Sequence, residues 1–258
     1  RPNTAIASDG PPPLGPQISR HPPPSLVSLD DVEAAAARLS GRIHRTPVLT
    51  SQMLDGLAQR RLFFKGEHLQ RTGSFKARGA LNRLLTLPDH ALARGVLTDS
   101  SGNFGQALAW AGADLGVKVT VVMPSSCALV KQAAVRGYGG HVVLCPPGLR
   151  PRKDTVRRLV AESDGTYVSS NDDLAVIAGQ GTAGLELVEE VPGLDAVVAP
   201  VGGGGLLSGV AVAVRGRGSQ TRVFGAEPKG ADDTARSLAA GSHLPPHHHD
   251  SIADGLLV

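Results

Sequence analysis

Three glycine-bearing segments of this 258-residue chain combine residue types that could do chemistry. The first, Arg71-Thr72-Gly73-Ser74-Phe75-Lys76-Ala77-Arg78-Gly79-Ala80, sets a lysine beside an aromatic ring at the start of a predicted helix. A helix N-terminus carries partial positive charge and disfavours an ammonium, so Lys76 is expected to titrate low and offer a neutral amine for a Schiff base. The second, Ser100-Ser101-Gly102-Asn103-Phe104-Gly105-Gln106, presents backbone amides at a helix start, which suits an anion such as a carboxylate. The third, Val201-Gly202-Gly203-Gly204-Gly205-Leu206, has four successive glycines, so its backbone can come close enough to cradle a phosphate. It matches neither the Walker A loop nor the dinucleotide fingerprint. Taken singly, each segment also fits a plainer reading: a surface lysine, a Ser/Asn-capped helix, a flexible turn.

All three sit where a predicted strand passes into a predicted helix. Strands are expected at 62–65, 95–98, 117–123, 141–144, 166–168, 196–199 and 222–226. Helical patterns lie near 75–87, 103–115, 127–137, 151–163, 173–190, 206–215 and 231–240. Ser28 with Asp31 forms a capping box that opens a further Ala-rich helix to about Leu39, ended by Gly41. Strand–helix alternation of this kind predicts the α/β class, with a mostly parallel sheet covered on both faces. Residues 1–25, rich in proline, are expected to form a disordered tail.

Composition narrows the function classes. Hydrophobic residues make up 41% of the chain, enough for a sizeable core, but aromatics only 3%, so Ala, Val and Leu must fill it. The net charge of +3 is spread along the chain without the aromatic platforms of a nucleic-acid binder. No apolar run reaches the ~20 residues of a membrane span, and no signal peptide is visible. Cys127 and Cys145 read as two reduced thiols, consistent with a cytoplasmic location. The His247–His249 run reads as a solvated loop rather than a metal site.

In order and together, the three segments resemble those of the serine/threonine dehydratase and serine racemase family, in the fold-type II group of pyridoxal 5'-phosphate (PLP) enzymes. The segments 175–182 (Ala-Val-Ile-Ala-Gly-Gln-Gly-Thr), 226–228 (Ala-Glu-Pro) and 252–255 (Ile-Ala-Asp-Gly) add to the likeness, which runs from about residue 28 to 258. The resemblance implies two three-layer α/β domains with mostly parallel sheets, like the β subunit of tryptophan synthase. Residues 26–69 and 169–258 would form the large PLP-binding domain and 70–168 the small one. It also implies a homodimer acting on a small amino-acid substrate. The activity implied is β-elimination of L-serine or L-threonine to a 2-oxo acid and ammonia. Serine racemisation is the nearest alternative, and a non-catalytic PLP-binding protein a further one.

The same resemblance assigns roles. Lys76 would carry the cofactor and act as base on one face of the substrate, and Ser101 would serve the opposite face. Phe75 would lie by the cofactor ring, and Asn171 would reach its phenolic oxygen, with Asn103 also near it. Gly202, Gly203, Gly204, Gly205 and Leu206 would hold the phosphate. Ser100, Ser101, Gly102, Asn103 and Phe104 would bind the substrate carboxylate, with Tyr138 close to the pocket. Glu227, the carbonyl of Ala231 and Asp233 would bind Mg²⁺ or Ca²⁺. Asp99 and Phe104 depart from the histidines of some relatives, and the charge of Asp99 is expected to disfavour acidic substrates. Relatives continue past the 252–255 segment, so the C-terminus reads as truncated, with a sheet edge open to pairing or aggregation.

Overall fold

The computed structural model describes residues 26–100, 102–218, 220–244 and 251–256. The proline-rich tail, Ser101 and the His247–His249 run lie outside the described residues. The element order is α1 (Leu29–Leu39), β1 (Val48–Leu49), α2 (Gln52–Ala58), β2 (Phe64–Lys65), α3 (Lys76–Leu85), α4 (Asp89–Arg94), β3 (Val96–Thr98), α5 (Asn103–Leu115) and β4 (Val119–Pro124). There follow α6 (Leu129–Gly137), β5 (His141–Cys145), α7 (Leu149–Ser163), β6 (Thr166–Tyr167), α8 (Leu174–Glu190), β7 (Ala196–Pro200), α9 (Gly205–Gly216), β8 (Arg222–Ala226) and α10 (Asp233–Ala240).

Seven strands and eight helices stand where the sequence patterns put them, within a few residues. The capping box of α1 forms in full: Ser28 Oγ accepts from the Asp31 amide, and Asp31 accepts from the Ser28 amide at 2.9 Å. The short pieces β1, α2 and α4 were not expected. α2 buries no residue and α4 only Ala91, so neither carries the apolar stripe that marks a helix in sequence.

Strands β5-β4-β3-β6 form one all-parallel sheet, in that order. Side chains alternate across it as the two-residue period requires. Val96, Val119, Val121 and Met123 face a core shared with α3 and α5, where Leu81, Leu84, Ala107 and Leu108 are fully buried. Leu97, Val122 and Cys145 face the other way, onto Val156 of α7. Helix, sheet and helix make the three layers. β7 and β8 form a separate parallel pair packed with α8 and α9 around Val197, Val210 and Val214. β1 and β2 pair antiparallel.

Helix α8 joins the two parts by packing on α1, α3 and α9. It does so through glycines. A methyl group at Gly179 would sit 2.7 Å from the Gly79 Cα of α3, and one at Gly181 would sit 2.8 Å from the Gly209 carbonyl of α9. Both contacts are with backbone, which cannot step aside.

Beside this seam lies Arg78, fully buried two residues after Lys76. Its guanidinium donates to both oxygens of Glu67 (2.8 and 2.7 Å) and both of Glu186 (2.7 and 2.9 Å), and to Thr182 Oγ1 at 3.1 Å. Lys65 adds an ion pair to Glu186 at 2.8 Å. Burial opposes the charge of Arg78, but the bonds to Glu67 and Glu186 outweigh it and leave the guanidinium pKa above its ordinary value. Burial likewise pushes against the Glu186 carboxylate, and the bonds from Arg78 pull its pKa below the usual range.

Gly179→Ala is expected to destabilise the fold by about 1–3 kcal/mol, the cost of overpacking a closed core. Gly56→Ala, in α2 where nothing lies within 4 Å of the added methyl, is expected to stabilise by about 0.5–1 kcal/mol. Denaturant unfolding of both variants beside the parent checks this. Equal effects from the two substitutions would sink the seam as a determinant of the fold.

Candidate active site

Parallel α/β sheets place ligands beyond the carboxyl ends of their strands. Such a cavity, about 330 Å³, opens past the ends of β3, β6 and β7. Phe75 and Lys76 line it from the start of α3. Asp99 and Ser100 follow β3, and Gly102, Asn103 and Phe104 open α5. Tyr167 and the Ser169–Asp172 turn come from β6, and Gly202 to Leu206 from the β7–α9 connection.

Lys76 is the first residue of α3. Its Nζ donates to the Ser170 carbonyl at 3.1 Å and to Asn171 Oδ1 at 3.4 Å. The Phe75 and Phe104 ring centroids lie 5.2 and 5.6 Å from it. Burial, which penalises the ammonium, lowers its pKa from 10.5 to about 8. The direction is the one read from the sequence, but the cause is burial rather than the helix end. At pH 7 about one such amine in ten is neutral, against roughly one in three thousand for an ordinary lysine.

Two helix starts face the cavity without a side-chain cap. α5 begins after Gly102 and α9 after Gly204, and neither cap residue offers a side-chain hydrogen bond. Gly204 has φ of 79°, which glycine adopts without strain. A side chain at Gly203 would collide with the Asn171 side chain. Glycine here keeps Asn171 beside the loop and near the lysine. An enclosed lysine amine, a polar amide next to it and a bare helix start a loop away fit an aldehyde-bearing phosphate ester such as PLP.

The cavity thus gathers most residues singled out in the sequence: Phe75, Lys76, Ser100, Gly102, Asn103, Phe104, Asn171, Gly202, Gly203, Gly204, Gly205 and Leu206. Gly255 and Leu256 also reach it, and Leu256 Cα would lie 3.3 Å from a methyl group at Gly202. Tyr138 is a correction. It lies past the C-terminal end of α6 and lines a different cleft with Gly139 and Gly140. Lys131, near the start of α6, lines the cavity. Seven residues at 1.5 Å each carry Tyr138 about 10 Å along the helix from it. Glu227 accepts from the Thr234 and Ala235 amides at 3.0 and 2.8 Å, capping α10, whose first residue is Asp233. Ala231 is buried beside it. Among the described residues no three His, Cys, Asp or Glu side chains cluster as metal ligands.

Arg152, Lys153 and Tyr167 line the cavity without having been foreseen. The strand-to-helix rule that located the other segments applies equally after β5, and would have pointed to the start of α7. Among the described residues no helix is long and apolar enough to cross a membrane.

The sequence pattern of the pyridoxal-phosphate dependent enzymes matches residues 39–258. The chain is 46% identical over 238 residues to a serine racemase of Dictyostelium discoideum, covering 91% of this chain and 73% of that protein. It is 44% identical to a β-hydroxyaspartate dehydratase of Paracoccus denitrificans, covering 90% and 74%. The crystal structure of a T.th. threonine deaminase aligns with a TM-score of 0.82 at 47% identity, covering 89% of this chain and 74% of that one.

With Lys76 titrating at about 8, attachment of PLP, followed by its visible absorbance, should speed up about tenfold per pH unit below pH 8 and level off above it. Below that pH the amine is mostly protonated and cannot attack. Lys76→Ala should give no such band. A rate still climbing at pH 10 would mean an ordinary solvated amine.

Proposed function

This chain belongs to the pyridoxal-phosphate dependent enzymes, and from that premise we propose that it removes the Cα proton of L-serine or L-threonine and expels the β-hydroxyl, yielding a 2-oxo acid and ammonia. The observation that carries this reading is Lys76, whose amine lies in the cavity within 5.6 Å of two aromatic ring centroids, with a pKa of about 8. PLP, when bound, withdraws electrons from the substrate Cα so that its proton can be lost. Gly202 to Leu206 would hold its phosphate on the amides of α9, and Asn171 would hold its ring from the side of Lys76. The amides at the start of α5, with Ser100 and Asn103, would hold the substrate carboxylate. Lys76 then takes the Cα proton at Nζ, while Phe75 and Phe104 keep water from that atom. The overall change is loss of ammonia: the water expelled in the elimination is regained when the resulting imine is hydrolysed to the 2-oxo acid.

Serine racemisation is the second reading, favoured by the serine racemase at 46% identity. It differs in one step: a proton returns to Cα from the face opposite Lys76, a task this reading gives Ser101. A division of the fold into a small unit at 70–168 and a large one from 26–69 and 169–258 accompanies both readings. It is supported by the four-stranded sheet, which lies wholly within 96–167. A divalent cation at Glu227, Ala231 and Asp233 belongs to the same proposal and requires Glu227 to release the α10 amides.

The two outcomes separate in one experiment. PLP-loaded protein is incubated with L-threonine and with L-serine, and 2-oxo acid is measured beside the enantiomers of the remaining amino acid. Steady 2-oxobutyrate release is expected. Ser101→Ala should leave that release largely intact and remove any D-serine formation. Neither product, from protein that holds PLP, would end both readings.

A further inference from the structure

Anchoring the cofactor and the α-carboxylate leaves the charged groups Asp99, Lys131, Arg152, Lys153 and Asp172 of the cavity without a task, and two of them are paired. Asp99 follows β3, and its Oδ1 accepts from the Tyr167 hydroxyl at 2.8 Å. Arg152, near the start of α7, brings Nε to 3.7 Å from the other carboxylate oxygen. Asp99 is 12% exposed and Arg152 25%, and all three side chains line the cavity. That Nε is buried and makes no hydrogen bond, so Asp99 balances Arg152 by charge alone.

A cation in this position is the natural partner for a second carboxylate on a substrate. Here it is already neutralised from within the protein. Resting on the hydroxy amino acid reading above, we propose that Asp99 is the specificity-determining residue for the substrate side chain. Its carboxylate occupies Arg152 as an acidic side chain would, so the site selects neutral β-hydroxy amino acids. Tyr167 is a positioning residue that holds Asp99 by its free oxygen. An acidic side chain entering here meets a like charge in a partly desolvated cleft, and its cation is taken. Lys131 and Lys153 also line the cavity, and their charge favours every anionic ligand, the cofactor phosphate and the α-carboxylate included. Discrimination between side chains is left to the enclosed pair. The bare charge of Asp99 read from the sequence therefore acts through Arg152.

The test compares PLP-loaded parent, Asp99→Asn and Asp99→Asn/Arg152→Gln. For each, kcat/KM is measured on L-threonine and on 3-hydroxyaspartate, and succinate, an unreactive dicarboxylate, is titrated by calorimetry. The parent is expected to favour threonine by at least about tenfold. Asp99→Asn keeps an acceptor for Tyr167 but strips the charge from Arg152. It should move the ratio toward 3-hydroxyaspartate by about tenfold or more and tighten succinate by a similar factor, and the double variant should lose both gains. A parent equally fast on both substrates overturns the proposal, as does a natively folded Asp99→Asn with the parent's ratio and succinate affinity. If Asp99→Asn fails to fold, Arg152→Gln alone decides: Asp99 is then uncompensated, the preference for threonine must widen, and an unchanged ratio overturns the proposal. If no variant turns over either substrate, the proposed reaction fails, and the succinate titrations still decide the role of the pair.

Discussion

Arg78 is the interaction on which the position of the reactive lysine depends. A fully buried guanidinium is tolerable only when its donors are met, and here two carboxylates from distant parts of the chain meet them. Glu67 comes from the turn before α3 and Glu186 from the C-terminal half of α8. Losing either partner would leave an uncompensated buried charge, a cost of about 3–5 kcal/mol. With the first turn of α3 clamped at Arg78, Lys76 two residues earlier has little room to wander. The ions therefore act as a locating pin, and the glycine seam beneath them sets the depth to which α3 sinks against α8.

That division of labour explains why so much of the site could be read from residues alone. Segments 71–80, 100–106 and 201–206 are local: the loop, the cap and the reactive group are neighbours in the chain, and strand–helix alternation brings their ends together. What escaped is what only packing decides. α2 and α4 lack an apolar stripe and form as short surface turns of helix. Arg152 reaches the cavity from the start of α7, a strand-to-helix junction that the pattern locates without showing which of its side chains turns inward. Tyr138 follows a helix that carries a cavity residue near its start, and so sits about two turns beyond that residue. The low pKa of Lys76 has its origin in enclosure by Phe75, Phe104 and the 170–171 turn, and enclosure has no signature in a linear pattern.

The cavity is assembled from both sheets. β3 and β6 belong to the four-stranded sheet, and β7 to the separate pair. The groups expected to hold the substrate carboxylate follow the first, the phosphate loop follows the second, and Lys76 opens α3, which packs against the first. α8 spans the join, with Gly179 against α3 and Gly181 against α9. The distance between the two halves of the site is thus a matter of helix contact rather than of loop conformation, which suits a site that must hold its groups within fractions of an ångström.

The bare starts of α5 and α9 carry a consequence outside chemistry. Amide groups aimed into a cavity with no side chain to receive them are stabilised by whatever anion settles there, and a ligand that binds only the folded chain raises its stability in proportion to the logarithm of its concentration. The vitamin-derived cofactor then serves as a folding partner as well as a reagent. By mass action, a cell short of it would hold a larger unfolded fraction open to proteases, and the abundance of this protein would follow nutrient supply with no dedicated regulator.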